Sequence, residues 1–260
     1  MKITKSATLT VHETTRAKFA KIGYDLMLGE VPFQVESADP RWADAIELLR
    51  ETATYIKTET QFSKHDLVNA KFLQMLATGH TGYPQPENDF GYRDVTYDLS
   101  NYCRKCGIGA VQKAPFRFKR SPTWGAKQIL QLNWVFDQYF VTPAIWEHLF
   151  KPIGVGCRPV ELASSSPLDD IVQLDIQASA SLDLDGFEYE DCAVCGRRRY
   201  LPNYAGYVPK PKSADAPLFY SSEYFGSGFL AFRLILLSDA FYRTILESGL
   251  KGVSFKACMP

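Results

Sequence analysis

Two stretches of this chain, Cys103-Arg104-Lys105-Cys106-Gly107 and Cys192-Ala193-Val194-Cys195-Gly196, repeat one pattern, C-x-x-C-G. A single C-x-x-C is a weak signal, but two copies each closed by glycine point to one chemistry. A tight turn that ends on glycine presents two sulfurs on one side and lets backbone N–H groups approach them. Two such knuckles facing each other supply the four tetrahedral thiolates of a closed zinc site, with Zn–S of about 2.3 Å. The reading is therefore a split zinc ribbon holding structural Zn²⁺ through Cys103, Cys106, Cys192 and Cys195. The usual ribbon separates its two hooks by about 15–20 residues. Here 85 residues lie between Cys106 and Cys192, so the intervening chain must build structure and return.

Other uses of paired cysteines fit less well. A thioredoxin-like redox pair calls for one C-x-x-C at a helix start beside a βαβ unit, and neither copy has that setting. A disulfide framework belongs to secreted chains, whereas MKITKSATLTVHETTRAK carries no apolar signal core. A catalytic zinc keeps an open coordination position, which four thiolates do not leave.

Composition bounds the rest. The 260 residues are 46% hydrophobic and 22% charged, an ordinary globular mixture, read as one domain over 1–260 with an N-terminal α/β portion (1–100) and a double-hook portion (101–260). No apolar run reaches the roughly 18 residues that a membrane span needs, so a soluble cytoplasmic protein is expected. The 29 basic and 29 acidic residues cancel, which argues against dedicated nucleic-acid binding, but they are unevenly placed. Arg104 to Lys127 holds seven basic residues and no acidic one, and Glu161 to Asp191 holds nine acidic residues and no basic one. Arg197, Arg198 and Arg199 follow the second hook. The acidic stretch either neutralises that arginine run or meets a basic partner. On the second reading Asp169, Asp170, Asp175, Asp183 and Asp185 are the candidate contact residues.

Periodicity places helices over Arg41–Ile56, where Trp42, Ala45, Ile46, Leu49 and Ala53 share a face, and from Ser63 to about Met75, with Asp66 completing a capping box. Residues 1–40 read as strand and loop, and Gly79–Asp89 as a surface loop. Leu130, Leu132, Trp134 and Phe136 alternate like a half-buried strand, as do Val172, Leu174 and Ile176. Thr142-Pro143 starts a short helix ending near Lys151-Pro152. Arg197–Ala216 reads as extended, and Phe229–Leu237 and Val253–Phe255 as strands. Ser238 caps a helix over 239–248 that Gly249 ends. With no βαβ rhythm, the fold class is α+β: a mixed sheet with short helices, stapled by the metal.

No common active-site motif is present. Gly226-Ser227-Gly228 is a turn rather than a nucleophile elbow, Gly107-Ile108-Gly109 lacks a third glycine, and His12-Glu13 has no second histidine four residues on. Cys157 and Cys258 read as small buried hydrophobes, with a Cys–His dyad through Cys157 as the alternative, and His148 reads as a packed or surface residue of a helix rather than a catalytic one.

The paired C-x-x-C-G with Arg197 directly after the second copy resembles the double-CXXCG proteins of bacteria. Phe225-Gly226-Ser227-Gly228, the apolar strand, the Ser238-capped helix and the ending Gly249-Leu250-Lys251-Gly252-Val253-Ser254-Phe255 add to the likeness, which covers roughly 102–255. The resemblance implies a non-catalytic immunity protein that binds and neutralises a cognate protein toxin, with the four cysteines around a structural metal. It does not imply which surface meets the toxin. The alternatives are a nucleic-acid-associated zinc ribbon using Arg104, Lys105, Arg117, Lys119, Arg120 and Arg197–Arg199, and an enzyme whose site is assembled from scattered residues.

Overall fold

The computed structural model describes residues 1–201 and 206–259. Contacts divide the chain into two compact units, Met1–Asp66 with Gly206 and Tyr207, and the remainder of the described chain. One domain with a subdivision near residue 100 is thus not the division observed.

In the smaller unit, β1 (Lys2–Val11) is the centre of an antiparallel sheet of order β2-β1-β3, with β2 at Gly29–Glu36 and β3 at Lys57–Gln61. Its alternation sends Ile3, Leu9 and Val11 inward. Helices α1 (Glu13–Lys21) and α2 (Trp42–Thr52) complete the core through Phe19, Ala45 and Leu49, against Phe33 and Val35 of β2. The second helix is the one the periodicity places at 41–56. The first lies where the sequence suggests strand and loop, because Phe19 is its one buried residue and leaves no apolar stripe.

The chain passes between the units within α3 (Lys64–Asn69). The capping box is present: Ser63 Oγ accepts from the Asp66 N–H at 3.1 Å, and Asp66 Oδ2 accepts from the Ser63 N–H at 2.7 Å. The helix does not continue to Met75 as its start suggests. Phe72–Ala77 is strand β4, an inner strand of a sheet, where Leu73 and Met75 are fully buried.

The larger unit first lays down α4 (Tyr92–Thr96), β5 (Tyr97–Asp98), β6 (Val111–Gln112), β7 (Phe116–Phe118), β8 (Ile129–Leu130), β9 (Phe140–Val141) and α5 (Pro143–Ile145). It continues through β10 (Gly156–Leu162), β11 (Pro167–Asp175), β12 (Ser179–Ala180), β13 (Tyr189–Asp191), β14 (Arg198–Tyr200) and β15 (Val208–Pro209). It ends with β16 (Leu218–Ser221), β17 (Ile235–Ser238), α6 (Asp239–Ser248) and β18 (Val253–Met259). Two mixed sheets result, β12-β16-β17-β4-β18-β15 and β7-β10-β11-β9-β8, with hairpins β5-β6 and β13-β14. Leu73, Met75, Ile129, Val141, Leu174, Ile235 and Leu237 join both sheets in one core, closed by Phe241 and Ile245 of α6. Ser238 accepts from the Phe241 N–H, and Gly249 ends the helix at φ +66°, as the sequence indicates. The class is α+β with mixed sheets and short helices.

Two expected strands are shorter than their alternation suggests. The strand read over 130–136 stops at Leu130, because the chain turns and Trp134 adopts φ +68°. The run Phe229–Leu237 pairs in β17 only from Ile235, after the glycine turn at Gly226 and Gly228. Part of the extended stretch expected over 197–216, residues 202–205, lies outside the described residues.

Candidate metal centre

Each hook sits at the turn of a hairpin. Between β5 and β6, the Cys103 N–H donates to Ile108 O at 2.9 Å and the Gly107 N–H to Cys103 O at 2.8 Å. Between β13 and β14, the Cys192 N–H donates to Arg197 O at 3.0 Å and the Gly196 N–H to Cys192 O at 2.8 Å. The two knuckles therefore share one hydrogen-bond pattern. Gly107 and Gly196 take φ of +79° and +70°, the left-handed conformation that glycine adopts without a Cβ penalty.

The 85-residue excursion returns so that the knuckles face each other. The Sγ atoms of Cys103 and Cys192 lie 3.8 Å apart, those of Cys106 and Cys195 lie 3.6 Å apart, and all four lie within 4.8 Å of one another. A disulfide would require about 2.05 Å. Four sulfurs about 2.3 Å from a common centre in tetrahedral array are about 3.8 Å apart, close to the two cross-hook distances. The four cysteines can hold a metal ion. Backbone N–H groups of Cys106 and Lys105 hold the Cys103 thiol down, to about 6, and those of Val194 and Cys195 hold Cys192 below its usual value. Burial drives Cys106 the other way. A cluster with some thiols primed as thiolates and another disfavoured by burial is one that a dication completes.

Two arginines after the second hook reach the first, a feature only half visible in the sequence. Arg197 Nη1 donates to Asn101 O at 2.7 Å and Ile108 O at 2.9 Å. Arg199 is 5% exposed. Its Nη1 donates to the carbonyls of Cys106 (3.0 Å), Gly228 (2.8 Å) and Leu230 (3.1 Å), and its Nη2 to Glu190 at 2.9 Å. Arg198 faces outward and pairs with Asp191 at 2.7 Å. The glycines around the first hook admit these contacts. A Cβ on Gly109 would lie 2.0 Å from Asn101 O and 2.3 Å from Arg197 Nη1, and one on Gly107 2.5 Å from Phe229 O, whereas one on Gly196 would meet nothing. Gly107→Ala is therefore expected to destabilise the larger unit by about 2–3 kcal/mol, from left-handed strain plus a backbone clash, against about 1 kcal/mol for Gly196→Ala. Paired urea unfolding curves measure the difference, and equal costs would refute the packing argument.

The acidic candidates do not form one free set. Asp170 accepts from Ser121 Oγ at 2.5 Å, and Asp175 is half-buried, accepting from Arg158 at 2.8 Å and Gln177 at 2.7 Å. Asp169, Asp183 and Asp185 are exposed and in no ion pair among the described residues. In the arginine run after the hook, Arg198 and Arg199 pair locally with Asp191 and Glu190 rather than with those five. Among the basic candidates Arg104, Lys105, Lys119 and Arg120 are exposed, Arg117 pairs with Glu161 at 3.3 Å, and Arg197 and Arg199 point inward. Burial raises the thiols of Cys157 and Cys258, the opposite of what activates a nucleophile. His148 is exposed. Among the described residues no helix is long and apolar enough to cross a membrane.

No protein-family model matches the chain, and no curated protein matches it.

Proposed function

We propose that the chain is a non-catalytic binding protein, an immunity factor that captures and neutralises a cognate bacterial protein toxin in the cytoplasm, with structural Zn²⁺ in the four-cysteine centre. The observation that carries the reading is the closed thiolate cluster clamped by Arg197 and Arg199. Four protein ligands complete the coordination sphere, so the metal's task is architectural: it joins two hairpins 85 residues apart in the chain and fixes the surface they carry. Reduced, free cysteines suit a cytoplasmic setting. The C-x-x-C-G-Arg pattern supplies the link to toxin–immunity systems. Asp183 and Asp185, exposed and unpaired, are the acidic side chains best placed to meet a basic toxin surface. The inward use of Arg197 and Arg199 weakens the nucleic-acid alternative.

The test is affinity purification of the full chain from its native cell, followed by expression of any stoichiometric partner alone and with this chain. A partner that is toxic alone and harmless together is the expected result. The double variant Asp183→Lys/Asp185→Lys should then weaken association and flatten its salt dependence. Retained nucleic acid with no protein partner, or a partner without toxicity, would overturn the proposal.

A further inference from the structure

Behind the first hook the larger unit encloses a cavity of about 350 Å³, within the range of small-molecule sites. Its wall is assembled from the loop after Gly107, the turn around Trp134, the rim strands carrying Arg158 and Asp175, and the segment from Tyr220 to Arg233. It shares Gly107, Gly109 and Leu230 with the surroundings of the four-cysteine cluster but none of the four cysteines, and neither Arg197 nor Arg199 lines it.

The charge in the cavity does not balance. Arg158 is matched by Asp175 at 2.8 Å. Arg93 and Arg233 also line the wall, and neither is in an ion pair among the described residues. Arg233 stacks on the Tyr220 ring at 3.9 Å, and Arg93 lies 4.5 Å from the centre of the Phe90 ring and 5.5 Å from that of Phe229. The remaining carboxyl, Asp137, accepts from the Arg233 backbone N–H at 3.1 Å. Burial raises its pKa above the usual carboxylate range, against the lowering pull of Arg233, and its hydrogen bond to Arg233 is to the backbone rather than to the guanidinium. Guanidinium groups without a carboxylate, in a half-enclosed site, suit a carboxylate or phosphate of a ligand.

The wall also carries aromatic rings, Tyr92, Trp134 and Phe229 among them, with Phe90 packed behind. Trp134 packs on Phe90 at 4.5 Å and on Tyr92 at 6.3 Å, and Phe229 adds a further ring beside Phe90 at 5.3 Å. Trp134 holds φ +68°, a rare and strained conformation for a bulky residue, of the kind concentrated at ligand clamps. The buried Tyr102 hydroxyl, also on this wall, has no hydrogen-bond partner among the described residues, so a donor is left for an incoming acceptor.

We infer that this cavity binds a small organic anion with a flat ring, its carboxylate or phosphate on Arg93 and Arg233 and its ring against Trp134. The chemistry is shared by nucleoside monophosphates and aryl carboxylates, so both are tested. The metal-loaded full chain is titrated with AMP, GMP, CMP and UMP, with 4-hydroxybenzoate, and with inorganic phosphate, following tryptophan fluorescence and calorimetric heat. The expected result is saturable binding of one organic class, at least tenfold tighter than inorganic phosphate, and weakened at least tenfold by Arg93→Gln and by Arg233→Gln. Metal content and melting temperature confirm that each variant is folded. If Arg233→Gln fails to fold, Arg93→Gln decides alone. Saturation by nucleotides alone or by the benzoate alone assigns the source. No saturation up to millimolar concentration, binding no tighter than inorganic phosphate, or full affinity in a folded Arg93→Gln protein would each overturn the inference.

Discussion

Removing the metal proposed for the four-cysteine cluster, or replacing one of its cysteines by Cys192→Ser, is expected to lower the melting temperature of the larger unit by about 10 °C and to release both hook hairpins. A dication present at about 1,000 times its Kd stabilises the folded state by about 4 kcal/mol. In a unit of this size each kcal/mol shifts the midpoint by about 2–4 °C. The effect should be local rather than total. The core joining the two sheets, with Leu73, Met75, Val141, Leu174 and Leu237 among its buried residues, includes none of the four cysteines. The hook cluster is small, with Ile108, Tyr224 and Ala231 the apolar neighbours of the sulfurs. Without a cation, four sulfurs within 4.8 Å of one another must share protons or repel. Elemental analysis should give one zinc per chain, and amide exchange after chelation should accelerate in the segments around 97–112 and 189–200 while β4 and β17 stay protected. A metal-free protein with an unchanged midpoint and unchanged exchange would refute the structural role.

The four-cysteine cluster is the part of the molecule most legible in the sequence, because its chemistry is carried by few residues in a fixed local pattern. Ligand spacing within each hook and the closing glycine are both set within five residues. The caps at Ser63, Thr142 and Ser238 are legible for the same reason. What escapes is decided at a distance. Helix α1 has no apolar stripe to betray it. Phe72–Ala77 looks like the continuation of a capped helix until β17 and β18 flank it. The alternation over 130–136 breaks at Trp134, whose left-handed backbone no pattern announces. The cavity gathers its arginines and rings from separate loops. Arg197 is visible as a motif residue, yet nothing in the sequence says that it and Arg199 turn inward, because their partners are backbone carbonyls, which carry no side-chain signature.

Arg199 is for that reason the position where a single substitution outside the ligand set should do most damage. Its ion pair with Glu190 matters little: that carboxylate is 55% exposed, and exposed pairs contribute about 0–1 kcal/mol. The carbonyls decide the outcome. Cys106, Gly228 and Leu230 all accept from one nitrogen; the Cys106 bond is buried and the other two are partly so, and a buried acceptor left without a donor costs about 1–3 kcal/mol. Arg199→Met keeps the length of the side chain but strands the Cys106 carbonyl and removes the donor of the other two, so a loss of about 2–4 kcal/mol is expected. Arg199→Lys should recover little of it, since a compact ammonium lacks the planar fork that reaches the hook and the 228–230 turn together. Glu190→Gln should cost under about 1 kcal/mol. The same clamp positions the Cys106 knuckle, so zinc affinity measured against a competing chelator should fall about 10–100-fold in Arg199→Met, as for other groups that orient metal ligands. An Arg199→Met protein within about 1 kcal/mol of the parent, or one that binds zinc as tightly, would show that the second hook holds the first through the metal alone.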